Sequence, residues 1–147
     1  RCWDLDDPVS LRDQLSAVNR IRRDQLALHT TRTLRFHPVA NDLLIAYSKT
    51  VHDGPDPDPT RPHRNPVLTV VNLDPAGGQS GVLELDLAAL GIDPTRSYDA
   101  HDLLADRHYE WHGPNPYVEL HPSDRPGHVL RISQLPVPTG PDGDPVA

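Results

Sequence analysis

Residues 98–120 read YDAHDLLADRHYEWHGPNPYVEL and contain three short runs in which apolar or aromatic side chains alternate with polar ones. Such alternation is typical of half-buried β-strands. Further runs of this kind are TLRFH, LLIAYSKT, VLTVVNL and GVLELDL before the stretch, and HVLRIS after it. No helical pattern alternates with these runs, so a parallel sheet with crossover helices is disfavoured. The sequence therefore predicts an all-β fold, an antiparallel β-sandwich of Greek-key type with about eight strands.

One amphipathic α-helix precedes the strands. In LRDQLSAVNRIRRDQLAL, residues 11–28, the apolar side chains that recur at helical spacing are Leu11, Leu15, Val18 and Ile21. Ser10 is well placed to cap the N-terminus, and we expect the helix to run from there to about Leu28. Because the other side of the helix is charged, the apolar stripe must pack against another part of this chain or against a further domain.

Composition and charge exclude several classes of function. The chain has 147 residues, a size typical of one domain, with a net charge of −7 and a pI near 5.6. Its basic cluster, Arg20, Arg22 and Arg23, is too small for a phosphate-binding surface, so nucleic acid is not an expected partner. Cys2 is the sole cysteine. We therefore expect no internal disulfide and no Cys-based zinc site, and a cytoplasmic location.

The remaining segments add three expectations. The chain begins with Arg1 and contains no Met, which indicates a segment of a longer chain or a processed product. Its apolar runs are too short to span a membrane. The proline-rich segment HDGPDPDPTRPHRNP, residues 52–66, predicts an exposed loop, and the similar tail predicts a flexible terminus.

The runs RHYEWH and YVELH, residues 107–112 and 117–121, flank the turn segment GPNP. We expect them to form adjacent antiparallel strands. Side-chain alternation then places Tyr109 and Trp111 on the core face, across from Val118 and Leu120. The outer face would carry His108, Glu110 and His112, opposite Tyr117, Glu119 and His121.

That outer face resembles a metal constellation, but its spacing argues against one. Residues four apart on a strand lie roughly 13 Å from each other, so His108 and His112 cannot bind one ion. A mixed site that joins one His with Glu110 and with His121 or Glu119 across the strands remains open, although a solvated polar face is much commoner. The prediction is that the chain holds no metal and no cofactor.

Trp111 and Tyr117 are the candidate substrate-binding residues. Aromatic faces stack on the apolar surfaces of sugar rings, and Tyr adds a polar tip. Burial in the core is the commoner role for an aromatic residue of a sandwich, and the alternation favours it for Trp111. For Tyr117 the alternation favours an outward position, where a sugar can reach it.

No segment carries a recognisable catalytic motif. Glu84 and Asp86 alternate with leucines in LELDL, which is typical of the outward face of a half-buried strand. PAGGQSG, residues 75–81, lacks the lysine of a phosphate-binding loop and is read as a turn, and no serine lies in a G-x-S-x-G elbow. We therefore expect no catalytic residue in this chain.

Several segments carry a family resemblance through their order along the chain: VNRIRRDQLAL, NDLLIAYSK, VLTVVNLDP, QSGVLELDLAALGI, YDAHDLL, YEWHGPNPYVEL and GHVLRI. Together they resemble the C-terminal region of the bacterial α-1,4-glucan:maltose-1-phosphate maltosyltransferases, a family of the α-amylase superfamily (glycoside hydrolase family thirteen). The resemblance spans about residues 3–132 and is closest at NLDP, residues 72–75, and HDLL, residues 101–104. RRDQLAL, residues 22–28, departs from the RRENPAL form that is usual in the family.

The resemblance implies a division into three parts. Residues 1–31 would be the last helix of a truncated catalytic barrel, residues 32–135 the C-terminal β-sandwich, and residues 136–147 a flexible tail. It implies a parent transferase that extends α-1,4-glucans from maltose-1-phosphate, with an Asp nucleophile and a Glu acid/base in the barrel. Those carboxylates would lie upstream of Arg1. The implied partner of this chain is the barrel, which the sandwich would cover and stabilise.

Alternatives to this role remain open. The chain could close another family-thirteen enzyme, such as an amylase or a trehalose synthase, or it could be a separate glucan-binding module that uses Tyr117 and Trp111. The helix stripe also predicts that the chain alone either self-associates, for example as a homodimer, or leaves the helix poorly ordered.

Overall fold

The computed structural model describes residues 11–51, 66–124 and 126–136. Within these ranges the chain forms the helices α1, Arg12–Asp24, and α2, Leu87–Leu90, together with eight strands. The strands are β1 (Arg35–His37), β2 (Leu44–Lys49), β3 (Val67–Asn72), β4 (Gln79–Val82), β5 (Tyr98–Asp102), β6 (Arg107–Trp111), β7 (Tyr117–Leu120) and β8 (Gly127–Gln134). The prediction of an all-β fold with one leading helix is confirmed. The proline-rich loop and the tail lie almost wholly outside the described residues.

The strands form two antiparallel sheets. In the described ranges the larger sheet has the order β1-β2-β3-β8-β5-β6, and the smaller sheet pairs β4 with β7. The last strand, β8, lies between β3 and β5, so the chain returns to the middle of the sheet after leaving it for β7. This return beside an earlier strand is the kind of connection that characterises Greek-key sandwiches.

The core lies between the two sheets. Strand alternation turns Leu68 and Val70 of β3 and Leu130 of β8 inward, where Val118 and Leu120 of β7 meet them from the smaller sheet. The segment between β4 and β5 completes the core with Leu83, Leu85, Leu87, Leu90 and Ile92. One apolar cluster therefore joins both sheets, as expected of a single sandwich.

Helix α1 is shorter than the sequence predicted, and its apolar stripe is largely uncovered. The backbone becomes extended at Gln25, and a 3₁₀ turn over Leu26–His29 follows. The predicted cap, Ser10, lies outside the described residues. Ile21 is buried, whereas Leu15 and Val18 remain 59% and 47% exposed. The stripe has only partial cover, and self-association of the chain remains a prediction.

The run GVLELDL is not one strand. β4 ends at Val82, and α2 begins at Leu87 because the Asp86 carboxylate accepts a hydrogen bond from the Ala89 amide (3.0 Å) and so caps the helix. Gly91, with φ of 73°, ends the same helix in the left-handed conformation that glycine tolerates. Glu84 and Asp86 are exposed, as expected.

The predicted pairing of RHYEWH with YVELH is wrong. β6 pairs with β5, with Tyr98 opposite Trp111, whereas β7 pairs with β4, with Val82 opposite Tyr117. The connection from β5 to β6, residues 103–106, is a short turn, and short connections favour a hairpin between successive strands. The chain between β6 and β7 instead crosses from one sheet to the other.

Candidate functional site

A cleft of about 340 Å³ opens where β6, the edge strand of the larger sheet, faces β7 of the smaller sheet. Its lining includes the aromatic side chains of Tyr109, Trp111 and Tyr117 and the polar side chains of Glu119 and His121. Apolar rings beside a few polar groups are the usual composition of a small-molecule site. The sandwich thus brings both sequence-predicted sugar-binding residues, Trp111 and Tyr117, to one cleft, although they lie in different sheets.

Trp111 forms the inner wall of the cleft. Its ring is partly buried against the core and meets the ring of Tyr98 edge-on, with centroids 6.1 Å apart. Tyr98 is fully buried, its hydroxyl donates to the Gly113 carbonyl (2.8 Å), and burial raises its pKa to about 12. Trp111 therefore has a fixed orientation, with part of its ring left in contact with the cleft. The predicted inward position of Trp111 and outward position of Glu110 are confirmed.

Tyr117 forms the outer rim. Its neighbour Val118 is buried in the core and Tyr117 itself is 58% exposed, so the outward position that the alternation predicted is confirmed. On the same face of β7 the Glu119 carboxylate accepts a hydrogen bond from His121 Nε2 (2.9 Å). The rim therefore offers an aromatic face, a carboxylate and an imidazole to hydroxyl groups of a ligand. Sugar binding by these residues remains a prediction.

A buried Asp–His pair supports the cleft from beneath. Asp102 is fully buried, and its carboxylate accepts hydrogen bonds from His128 Nδ1 (2.7 Å) and from the Leu104 amide (3.0 Å). Burial alone would raise the pKa of Asp102, but these hydrogen bonds outweigh it and hold that pKa below its ordinary value. The His128 ring also meets Tyr109 edge-on, at 6.0 Å.

The sequence interpretation missed this pair, although a signal was present. In YDAHD the inward positions of the strand are those of Tyr98, Ala100 and Asp102. An aspartate at an inward position must have a partner, because burial of an unpaired carboxylate is costly. The partner lies 26 residues further along the chain, so local spacing could not identify it.

On the outer face of the larger sheet the structure assembles a different histidine cluster from the one considered above. The mixed site of one His with Glu110 and with His121 or Glu119 does not form, because β6 pairs with β5 and β7 pairs with β4. Instead His108 of β6 lies directly opposite His101 of β5, and their rings stack with centroids 4.1 Å apart and planes at 6°. Within the described part of the chain, the group with metal-ligand spacing is His101, Asp106 and His108.

Of the two acidic residues of LELDL that were considered in the sequence, Asp86 has structural partners. Asp86 caps α2 and forms an ion pair with Arg35 of β1. Neither Asp86 nor Glu84 lines the cleft described above.

Comparison with known proteins gives a consistent result. The family model described as "GLGE, C-terminal" matches residues 36–132. The chain is 40% identical over 132 residues to the α-1,4-glucan:maltose-1-phosphate maltosyltransferase of Salinibacter ruber, a match that covers 90% of this chain and 18% of that protein. It is 35% identical to the corresponding protein of Chlorobaculum tepidum, over 89% of this chain and 19% of that protein. It is 43% identical to maltosyltransferase 2 of Streptomyces coelicolor, over 80% of this chain and 16% of that protein.

The chain thus spans less than a fifth of the length of the curated relatives it matches. Neither helix within the described ranges has the length and apolar content that crossing a membrane requires.

Proposed function

This chain belongs to the GLGE C-terminal family, and from that membership we propose that it is the C-terminal domain of an α-1,4-glucan:maltose-1-phosphate maltosyltransferase. The match over residues 36–132 is the observation that carries the proposal, and the resemblance recognised in the sequence is confirmed by it and by the three relatives. Extension of α-1,4-glucans from maltose-1-phosphate is then the activity of the whole enzyme.

The role of the domain itself is structural rather than catalytic. Retaining transfer between sugars uses two carboxyl groups roughly 5 Å apart on either side of the reacting bond. Three acidic residues described above are engaged in other contacts: Asp102 with buried His128, Asp86 with α2 and Arg35, and Glu119 with His121. The catalytic carboxylates belong to another part of the enzyme.

The domain covers and stabilises the catalytic barrel, with α1 as the contact. Leu15 and Val18 leave most of the helix stripe exposed, and a stripe of this kind normally packs against another element. In this scheme residues 1–31 end the barrel, residues 32–135 form the sandwich and residues 136–147 are a tail. The barrel packs against the part of the apolar stripe of α1 that the sandwich leaves exposed.

The complete gene product tests this function. It should release phosphate from maltose-1-phosphate when an α-1,4-glucan acceptor is present, whereas the 147-residue chain alone should release none. Leu15→Asp with Val18→Asp should lower the melting temperature of the complete enzyme, while Arg20→Asp on the polar side of α1 should not. Starch hydrolysis without phosphate release would instead assign the domain to an amylase, and turnover by the isolated chain would exclude a non-catalytic role.

Glucan binding in the cleft is a second candidate function, favoured by the meeting of Trp111 and Tyr117 in one cleft. Trp111 is held rigidly by the core, and Tyr117 adds an exposed face with Glu119 beside it. An aromatic contact contributes about 0.5–1.5 kcal/mol, so Tyr117→Ala should weaken binding of a maltooligosaccharide roughly two- to tenfold.

Titration of the chain with maltoheptaose, followed by tryptophan fluorescence and NMR, measures this effect. Phe36→Ala is the matched control, because Phe36 is an equally exposed aromatic residue (61%) on β1, at the other edge of the larger sheet. Equal affinities for the two variants would exclude the cleft as a glucan site and leave the structural role intact.

A further inference from the structure

His101 and His108 face each other across the hairpin of β5 and β6 on the outer face of the larger sheet. Their imidazoles are stacked almost parallel, and Asp106, from the turn between the two strands, places a carboxylate oxygen 2.8 Å from His101 Nε2. One ligand atom from each of the three residues lies within 4.8 Å of the others. Two imidazoles and a carboxylate are a ligand set that suits zinc and related divalent transition metals.

We propose that His101, His108 and Asp106 form a binding site for a divalent transition metal ion of the zinc type, with solvent completing the coordination. This inference goes beyond the proposed function and does not depend on it. It concerns the face of the larger sheet opposite the core, whereas the glucan cleft opens where β6 faces β7.

The hydrogen bond at the other nitrogen of His108 supports ligation. His108 Nδ1 donates to the Asp99 carboxylate, with 3.0 Å to each oxygen. This bond fixes the tautomer in which Nε2 carries the free lone pair, and no described residue is hydrogen-bonded to that Nε2. A carboxylate that orients a histidine through its second nitrogen is the usual support of a metal ligand.

The local charge also favours a cation. Asp99 and Asp106 place two carboxylates beside the imidazoles. The cation within hydrogen-bond reach of the pair is Arg131, whose Nη2 lies 3.4 Å from His101 Nδ1. In this arrangement Nδ1 accepts from Arg131 while Nε2–H donates to Asp106.

Ligation through His101 Nε2 therefore moves one proton from Nε2 to Nδ1. A protonated Nδ1 cannot accept from Arg131, so the guanidinium must turn away when the metal binds. In Arg131→Gln the side-chain amide oxygen can accept from Nδ1–H, and this variant should bind the metal more tightly than the wild type.

To close on an ion, His108 and Asp106 must rotate toward His101, because the nitrogen lone pairs of stacked, parallel imidazoles lie in the ring planes and do not converge on one point. Tetrahedral ligation with metal–nitrogen bonds of about 2.0–2.1 Å places ligand atoms roughly 3.3 Å apart. The side chains of His108 and Asp106 are 60% and 92% exposed, so they can rotate without disturbing the core. His101, only 15% exposed, provides the fixed point.

Zinc titration of the 147-residue chain tests the proposal, by calorimetry and by NMR of ¹⁵N-labelled imidazoles. The chain contains nine histidines, so the readout must identify the residues that respond. We expect the Nε2 resonances of His101 and His108 to shift together with one binding isotherm. His108→Gln should abolish that isotherm, and Asp99→Asn should weaken it about 10- to 100-fold.

His121→Gln is the matched control, because His121 is a similarly exposed histidine that bonds to a carboxylate, Glu119, at 2.9 Å. It should leave the isotherm unchanged. Unshifted His101 and His108 resonances at saturating zinc would overturn the proposal without any variant. The proposal would also be overturned if His108→Gln bound zinc with the affinity of the wild type. If Arg131→Gln did not bind zinc more tightly than the wild type, ligation through His101 Nε2 would be contradicted.

Discussion

Replacement of Asp102 by alanine should be among the most damaging single changes to this domain. The side chain is fully buried and supplies the acceptor for two donors, His128 Nδ1 at 2.7 Å and the Leu104 amide at 3.0 Å. Each of these two donors left without a partner costs about 1–3 kcal/mol, so the loss for both is about 2–6 kcal/mol. Against a typical stability of about 5–15 kcal/mol, we expect Asp102→Ala to lose about 2–6 kcal/mol.

The pair Glu119–His121 is a matched control for burial. Its hydrogen bond is nearly as short, at 2.9 Å, but both side chains are more than half exposed. Exposed pairs contribute about 0–1 kcal/mol because water competes for both partners. Glu119→Ala should therefore be almost neutral.

Urea unfolding followed by circular dichroism measures both effects, with a chelator present so that no metal contributes through nearby His101. A double-mutant cycle of Asp102→Ala with His128→Ala should give a coupling of about 0.5–3 kcal/mol. If Asp102→Ala costs no more than Glu119→Ala, or if the coupling vanishes, the hydrogen-bonded pair does not stabilise the fold.

Three other changes test separate parts of the structure. Burial, and after it the charge of Arg35, lowers the pKa of His37 below its ordinary value of 6.5. The unfolded chain therefore takes up this proton at a higher pH than the folded chain, and the free energy of unfolding should fall as the pH drops below 6.5. In urea unfolding, His37→Gln should make the free energy of unfolding less dependent on pH in this range. Gly113→Ala should lower the free energy of unfolding by about 1–2 kcal/mol in thermal melts, because φ is 69° there. Light scattering should show that the wild-type chain self-associates and that the double variant Leu15→Asp, Val18→Asp is monomeric. If the wild-type chain and the variant are both monomeric, the apolar stripe of α1 needs no partner.

Local pattern predicted a large part of the fold. Alternation along the chain located the strands other than β4, which it placed only in part, and it turned Tyr117 outward beside buried Val118. The side chains of a strand point to opposite faces whatever its neighbours are. Helical spacing located α1 and its stripe in the same way. The order of the segments was enough to recognise the family.

Strand partners could not be read from the same pattern, because alternation states which face a side chain occupies but not which strand lies beside it. Pairing depends on turn geometry and on contacts between residues distant in sequence. Once β6 pairs with β5 and not with β7, His108 moves from the neighbourhood of His121 to a position opposite His101. Pairing of β8 with β5 within the larger sheet brings His128 to Asp102, and the packing of the two sheets joins Trp111 to Tyr117 in one cleft. Burial of a shared core, acting across the whole chain, selects these neighbours.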